Sequence, residues 1–167
     1  MGEKNLKKAI FLDRDGVINI DHGFVYQIEK FEFVDGIFEF LKEAQRRGYT
    51  LIIVTNQSGI GRGYYTLEDF EKLTDFMIKQ MQKEGINISK EQIFFCPHAP
   101  EENCSCRKPE PKMILDAKDK FNIDLGKSYL IGDKITDIEA GIRAGIPNNI
   151  LITKNSKISM EAVDGLQ

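Results

Sequence analysis

The sequence predicts an α/β fold, a single Rossmann-like domain over residues 1–167 with a mostly parallel central sheet, helices on both faces and no large cap domain. Three observations predict it. Short apolar runs alternate with amphipathic helical segments along the whole length. Those runs are nearly continuous in apolarity and rich in β-branched and aromatic residues, as strands covered on both faces are. Reactive polar residues gather just after the runs, where open parallel sheets form their sites.

The elements follow in order. Strands are expected at 9–12, 50–54, 92–95, 128–131 and 150–152. Between the first two, Ile37, Phe40, Leu41 and Ala44 mark one face of a helix ending near Gly48. Leu67, Phe70, Leu73, Met77 and Met81 mark the next, opened by Thr66 as N-cap with Asp69 three residues on. Helices over 112–121, with Pro111 near its start, and over 137–144 complete the alternation. Residues 16–36 are less regular, and 25–28 with 31–34 suggest a short hairpin-like excursion. The intervals Asp13–Thr55 and Thr55–Lys108 are each filled by a helix and a strand, which leaves no room for a cap.

Composition narrows the class. The 167 residues are 41% apolar and 29% charged, enough for one sizeable core. A run such as Leu51-Ile52-Ile53-Val54 falls far short of the roughly 20 residues that cross a bilayer. A net charge of −3 argues against a general nucleic-acid binder. The opening residues carry no apolar export core, so the cytoplasm is the expected compartment. A monomer is the expected state.

The three cysteines and one of the two histidines crowd into a single segment, Cys96-x-His98-x5-Cys104-x-Cys106. An odd count and the tight Cys104/Cys106 spacing fit a disulfide framework poorly. Three thiolates and one imidazole instead make a closed tetrahedral shell for a structural Zn²⁺. The alternative is a set of unrelated buried cysteines.

Strand ends carry the remaining chemistry. Ile10-Phe11-Leu12 runs into Asp13-Arg14-Asp15-Gly16; Ile52-Ile53-Val54 runs into Thr55-Asn56-Gln57-Ser58-Gly59. The third strand leads through the cysteine cluster to Arg107-Lys108-Pro109, and the fourth to Gly132-Asp133-Lys134 with Asp137 beyond. Converging carboxylates at Asp13, Asp15 and Asp133 repel unless a cation neutralises them, and hard oxygen ligands suit Mg²⁺. Lys108, the Thr55 hydroxyl and nearby backbone amides can hold phosphate oxygens. A carboxylate beside a bound phosphate can attack it, and a second can move protons. Each aspartate taken alone can equally be a turn or capping residue.

These four motifs resemble, in order, those of the haloacid dehalogenase-like phosphohydrolases, over residues 9–153. The resemblance implies a phosphatase in which Asp13 is the nucleophile and Asp15 the general acid/base. Asp13 and Asp133, with the Asp15 backbone carbonyl, would hold Mg²⁺. Thr55 and Lys108 would bind the phosphoryl group, and Asp137 would support Lys108 or a metal-bound water. The Asp21-His22-Gly23-Phe24 segment, the Thr55-Asn56-Gln57-Ser58-Gly59-Ile60-x-Arg62-Gly63 run and the zinc loop narrow the likeness to the heptose-bisphosphate phosphatase branch, with the histidinol-phosphate phosphatases as near relatives. That branch implies a small sugar-phosphate substrate, contacted by Asp21, His22, Arg107 and Lys134, with Gly23, Phe24, Asn56, Gln57 and Ser58 also at the site; without a cap, the pocket must be walled by Asp21–Phe24, Ser58–Gly63, the zinc loop and Lys134. A receiver domain shares the sheet and the aspartyl-phosphate chemistry, but its phosphorylated Asp follows the third strand, where this chain has cysteines. A zinc-ribbon nucleic-acid module is poorly supported by one such loop in an acidic chain.

Overall fold

The computed structural model describes residues 5–160. The first four residues of the expected leaderless start, and the last seven of the expected 1–167 domain, lie outside them. Five parallel strands form one sheet in the order β3-β2-β1-β4-β5: β1 (Ala9–Leu12), β2 (Thr50–Asn56), β3 (Ile93–Cys96), β4 (Tyr129–Gly132) and β5 (Asn148–Leu151). Each strand is short and, in β1 and β4, buried throughout.

Because successive side chains on a strand face opposite ways, the sheet divides the core in two. Ile10 and Leu12 of β1 and Leu51 and Ile53 of β2 point to one side. There they meet α1 (Ile37–Arg46), through Phe40 and Leu41, and α3 (Leu67–Lys83), through Leu73, Met77 and Met81. Ala9, Phe11, Ile52 and Val54 point to the other side. They meet α4 (Lys112–Phe121), through Met113 and Ile114, and α5 (Ile135–Ala144), through Ala140. Helices thus cover both faces, as the apolar runs require. Thr66 caps α3 with a reciprocal bond pair to Asp69, the device its spacing announces.

Several boundaries differ from expectation for identifiable reasons. Strand β2 continues to Asn56 because Thr55 and Asn56 still pair with Phe95 and Cys96. Gln92 is in a 3-10 turn, its amide donating to the Leu51 carbonyl. Ser128 precedes β4 and accepts the Ala9 amide through its hydroxyl. Helix α5 starts at Ile135, since the Asp137 carboxylate accepts the Lys134 amide and caps it. The edge strand β5 begins at Asn148 rather than Ile150.

The expected hairpin over 25–34 is absent. Arg14 donates to the Val25 carbonyl, a 3-10 turn spans Ile28–Lys30, and residues 32–34 pair instead with Ile18 and Ile20. A further short helix, α2 (Ser58–Gly61), follows β2. Among the described residues, no helix is long and apolar enough to cross a membrane.

The strand order reverses direction at β1, with β2 and β3 on one side and β4 and β5 on the other. The crevice beyond the carboxyl ends of β1 and β4 is where such a sheet binds ligands. Gly16 makes the turn there possible: its φ is +93°, and a Cβ would run into the Asp133 carboxylate. Gly16→Ala is expected to cost about 1–3 kcal/mol of stability through the forced left-handed backbone and this collision. Urea unfolding checks it, and an unchanged midpoint contradicts it.

Candidate active site

The strand ends converge on an open cleft of about 430 Å³ whose lining includes Asp13, Asp15, Lys108, Arg107 and Lys134. Asp13 prolongs β1, its amide bonded to the Ile131 carbonyl of β4, which fixes its side chain at the switch point. Its carboxylate lies 3.0 Å from Lys108 Nζ. Lys108 also reaches Asp137 at 2.6 Å and the Val54 carbonyl at 2.9 Å, so all three ammonium hydrogens are donated. Asp137, besides holding Lys108, accepts the backbone amides of Asp133 and Lys134 with its other oxygen. A Cβ on Gly132 would collide with Asp137, so glycine there admits the approach.

Asp133 differs from these. Its carboxylate is almost fully buried, and neither oxygen has a hydrogen bond; the half-exposed Lys134 ammonium stays 3.6 Å away. A buried anion left so bare is costly unless a cation takes the place of water. Asp13, Asp133 and Asp137 each bring an oxygen into a common cluster, all within 4.8 Å of one another. All-oxygen donors of this charge fit Mg²⁺.

The charges explain the titration of the pair. Burial pushes the Asp13 carboxyl up from 3.8 to about 7; the Lys108 charge opposes this, while Asp137, Asp15 and Asp133 add to it. For Lys108, burial works against the charge, but Asp13 and Asp137 outweigh it and hold the ammonium above its ordinary value. Burial thus governs the acid, and the neighbouring carboxylates govern the ammonium. One ammonium is shared among several carboxylates, so the cation gains and each anion competes.

Asp15 is held from three sides. Its Oδ1 accepts Arg14 Nη2 at 2.9 Å and Asn19 Nδ2 at 2.9 Å, and its Oδ2 accepts Gln57 Nε2 at 3.1 Å. Arg14 is fully buried between the Phe31 and Phe70 rings. It, Asn19 and Tyr65 escape sequence reasoning. The only signal for Arg14 is an arginine set in the carboxylate motif.

Other expected site residues divide. Gly23, Phe24, Ser58, Arg107 and Lys134 line the cleft, and one guanidinium nitrogen of Arg107 is buried without a partner. Asp21 and Gln57 line it as well, and the remaining side chains are held as follows. Thr55 has no exposed surface, and its hydroxyl accepts Gln57. Asn56 lines the cleft, but its side chain clasps the Lys108 backbone, accepting the amide at 3.0 Å. Asp21 closes a turn on the Gly23 amide and pairs with Lys154 at 3.0 Å, which holds its carboxyl below the usual range although burial alone would raise it. That turn carries His22 away from the cleft lining, half-exposed and 3.4 Å from Glu32. Arg62 donates to Ser58 and lies over the Phe24 ring.

The cysteine loop begins where β3 ends. Contrary to the expected three free thiolates, Cys96 and Cys106 are disulfide-bonded, with Cα atoms 5.6 Å apart, and Cys104 alone is free. The reason is convergence, since every donor in the loop points at one centre. His98 Nδ1 is 3.5 Å from the Cys96 sulfur and 3.4 Å from that of Cys106, while Cys104 is 3.5 Å and 3.9 Å from the same two sulfurs. A tetrahedral shell with sulfur about 2.3 Å from zinc has edges near about 3.7 Å. With the disulfide reduced, the cluster is compatible with zinc.

Comparison with known proteins now adds to this geometry. A HAD-hydrolase-like family model matches residues 105–158. The D-glycero-beta-D-manno-heptose-1,7-bisphosphate 7-phosphatase of Helicobacter pylori J99 is 56% identical over 149 residues, covering 89% of this chain and 84% of that protein. The chain belongs to the heptose-bisphosphate phosphatase branch of the haloacid dehalogenase-like hydrolases. Campylobacter jejuni has a relative in that branch, named for the alpha anomer, at 53% identity over 90% of this chain and 85% of its own. Among solved structures, the D,D-heptose 1,7-bisphosphate phosphatase of B. bronchiseptica, complexed with magnesium and phosphate, superposes with a TM-score of 0.82. It is 31% identical and covers 96% of this chain and 88% of its own.

The raised Asp13 carboxyl has a consequence for stability. Its folded pKa of about 7 exceeds the ordinary 3.8, so between these values the native state binds the proton more tightly. Native stability from this group is therefore lost as pH rises through that window. In EDTA, Asp13→Asn should gain in melting temperature relative to the parent as pH rises from 4 to 8, and added Mg²⁺ should shrink the gain. A gain that grows toward low pH contradicts this.

Proposed function

We propose that this chain hydrolyses the C7 phosphate of D-glycero-D-manno-heptose 1,7-bisphosphate through a phosphorylated Asp13, in a Mg²⁺-dependent reaction on a scaffold stapled by zinc. The observation that carries the reading is the bare, buried Asp133 carboxylate beside Asp13. The half-exposed Lys134 at 3.6 Å offsets this anion only partly, and a divalent cation held by Asp13 and Asp133 would neutralise it.

The chain's own residues then divide the work. Asp13 attacks phosphorus and the sugar oxygen leaves with a proton from Asp15, which next takes a proton from the water that cleaves the aspartyl-phosphate. Lys108 spends a hydrogen on Asp13 in the resting state. When that oxygen becomes an acyl-phosphate ester it accepts more weakly, and the hydrogen turns to a phosphoryl oxygen. Asp137 keeps Lys108 in place throughout. Asp13, Asp133 and the Asp15 backbone carbonyl would hold Mg²⁺, which would supply charge neutralisation to the phosphoryl group.

Selectivity without a cap depends on groups around the open cleft. Arg107, with its unpartnered buried nitrogen, and Lys134, half-exposed beside Asp133, offer cations to a second phosphate remote from the reacting one. The catalysis belongs in a reducing compartment such as the cytoplasm, where Cys96, Cys104 and Cys106 are thiolates and, with His98, hold Zn²⁺.

Phosphate release from the heptose bisphosphate and from histidinol phosphate, assayed in parallel, tests the substrate. The bisphosphate should have much the higher kcat/KM, and Lys134→Ala should raise its KM more than that of p-nitrophenyl phosphate. Equal or better turnover of histidinol phosphate moves the assignment to that substrate. Asp13→Asn should abolish turnover with the fold intact, and Asp15→Asn should cost roughly 10²–10⁴-fold in kcat.

The zinc reading has its own check. Protein purified under reducing conditions should hold about one zinc per chain. Cys104→Ser should lower thermal stability more than Mg²⁺ affinity; a zinc-free protein of unchanged stability overturns it.

A further inference from the structure

Tyr65 lies in the loop that leads to α3, 5% exposed and lining the same cleft. Its ring is clamped. Tyr26 stacks on it at 5.2 Å between centroids, 10° from parallel, and on the α2 side a Cβ at Gly59 would collide with the ring. Its hydroxyl donates to Gln57 Oε1. That bond favours this way round for the Gln57 amide: turned over, it could donate to the Tyr65 oxygen but would leave the hydroxyl hydrogen without its acceptor. Gln57 Nε2 is left to donate to Thr55 Oγ1 at 2.9 Å and to Asp15 Oδ2 at 3.1 Å.

The lone pairs of Asp15 can be followed one by one. Oδ1 accepts two donors, Arg14 and Asn19, which fills it. Oδ2 accepts only Gln57, and one lone pair remains. A proton carried by Asp15 therefore sits on Oδ2, on the lone pair not facing Gln57, and is free to pass to a leaving oxygen. Were the Gln57 amide turned over, its oxygen would accept that proton and hold it away from the substrate. The turned amide suits only the protonated acid, because an amide oxygen against the ionised carboxylate is repelled.

We propose that Tyr65 is a positioning residue for the acid step: by donating to Gln57 Oε1 it keeps the amide from turning over and trapping the Asp15 proton. The proposal rests on the reading of Asp15 as the general acid. Burial pushes the Tyr65 hydroxyl up to about 12, Asp15 adding to the shift and Arg14 opposing it, so it stays a donor over the working pH range. The step balances simply: the proton leaves Asp15 Oδ2 for the bridging oxygen as the phosphorus–oxygen bond breaks, and no group is oxidised or reduced.

A general-acid defect is distinguished from a structural one by the leaving group. A sugar alkoxide needs the proton, whereas p-nitrophenolate leaves almost unaided. The base step uses ionised Asp15, for which the turned amide is unfavourable, so it is spared. Tyr65→Phe should lower kcat on the heptose bisphosphate about tenfold or more with KM within about twofold, and leave kcat on p-nitrophenyl phosphate within about twofold. In a Gln57→Leu background there is no amide to trap the proton, and Tyr65→Phe should cost nothing further.

A proportional loss on both substrates, no loss on either, or an undiminished effect in the Gln57→Leu background overturns the proposal. Asp15→Asn is assayed alongside. If it leaves turnover of the bisphosphate near normal, the general-acid reading itself fails, and the Tyr65 proposal with it. If it abolishes turnover while Tyr65→Phe is neutral, only the proposal fails.

Discussion

One ammonium serving several buried carboxylates is the constraint on which the rest of the structure depends. Lys108 spends its three hydrogens on Asp13, Asp137 and Val54, and the Asp133 carboxylate beside them accepts no hydrogen bond. Around that centre the negative charge exceeds what one buried cation can offset. Such an arrangement is costly by itself, and a ligand that brings positive charge would relieve it. Burial first, and then the neighbouring carboxylates, raise the Asp13 carboxyl, while Asp13 and Asp137 hold the Lys108 ammonium above its ordinary value against burial.

The fold supplies what that centre needs. Parallel strands β1 and β4 are neighbours in the middle of the sheet, so the residues that follow them, Asp13 and Asp133, are brought together by backbone pairing rather than by flexible loops. Two glycines then let side chains approach closely. Gly16 leaves space for Asp133, and Gly132 leaves space for Asp137. Lys108 arrives from the far edge of the sheet, through the cysteine loop after β3, and Asn56 clasps its backbone. Ordering that loop by a metal therefore bears on the catalytic lysine, although the cysteines themselves stand apart from the cleft lining.

Much of this was legible in the sequence, because alternation and strand ends are local patterns. Runs such as 9–12 and 50–54, each followed at once by Asp13 or Thr55, are enough to place chemistry at one edge of a parallel sheet. The spacing of the cysteines and His98 likewise carries its own geometry. What stayed hidden depends on how side chains close hydrogen bonds. His22 sits between two turn-forming residues, and only the structure shows it half-exposed beside Glu32. Thr55 and Asn56 end the right strand, yet Asn56 serves the Lys108 backbone and Thr55 accepts Gln57. Tyr65, just before the Thr66 cap, reads as an ordinary apolar residue flanking a helix; its role is visible only through Gln57.

The central claim, that the bare Asp133 carboxylate and its neighbours await a cation, is tested most directly by Mg²⁺ binding in the absence of substrate. Calorimetric titration of the parent chain and of Asp133→Asn, both shown folded by their thermal transitions, compares the two. The account predicts one site in the parent and an affinity weaker by more than about tenfold in the variant, since a charged oxygen ligand is lost. Equal affinity in the two proteins would contradict it.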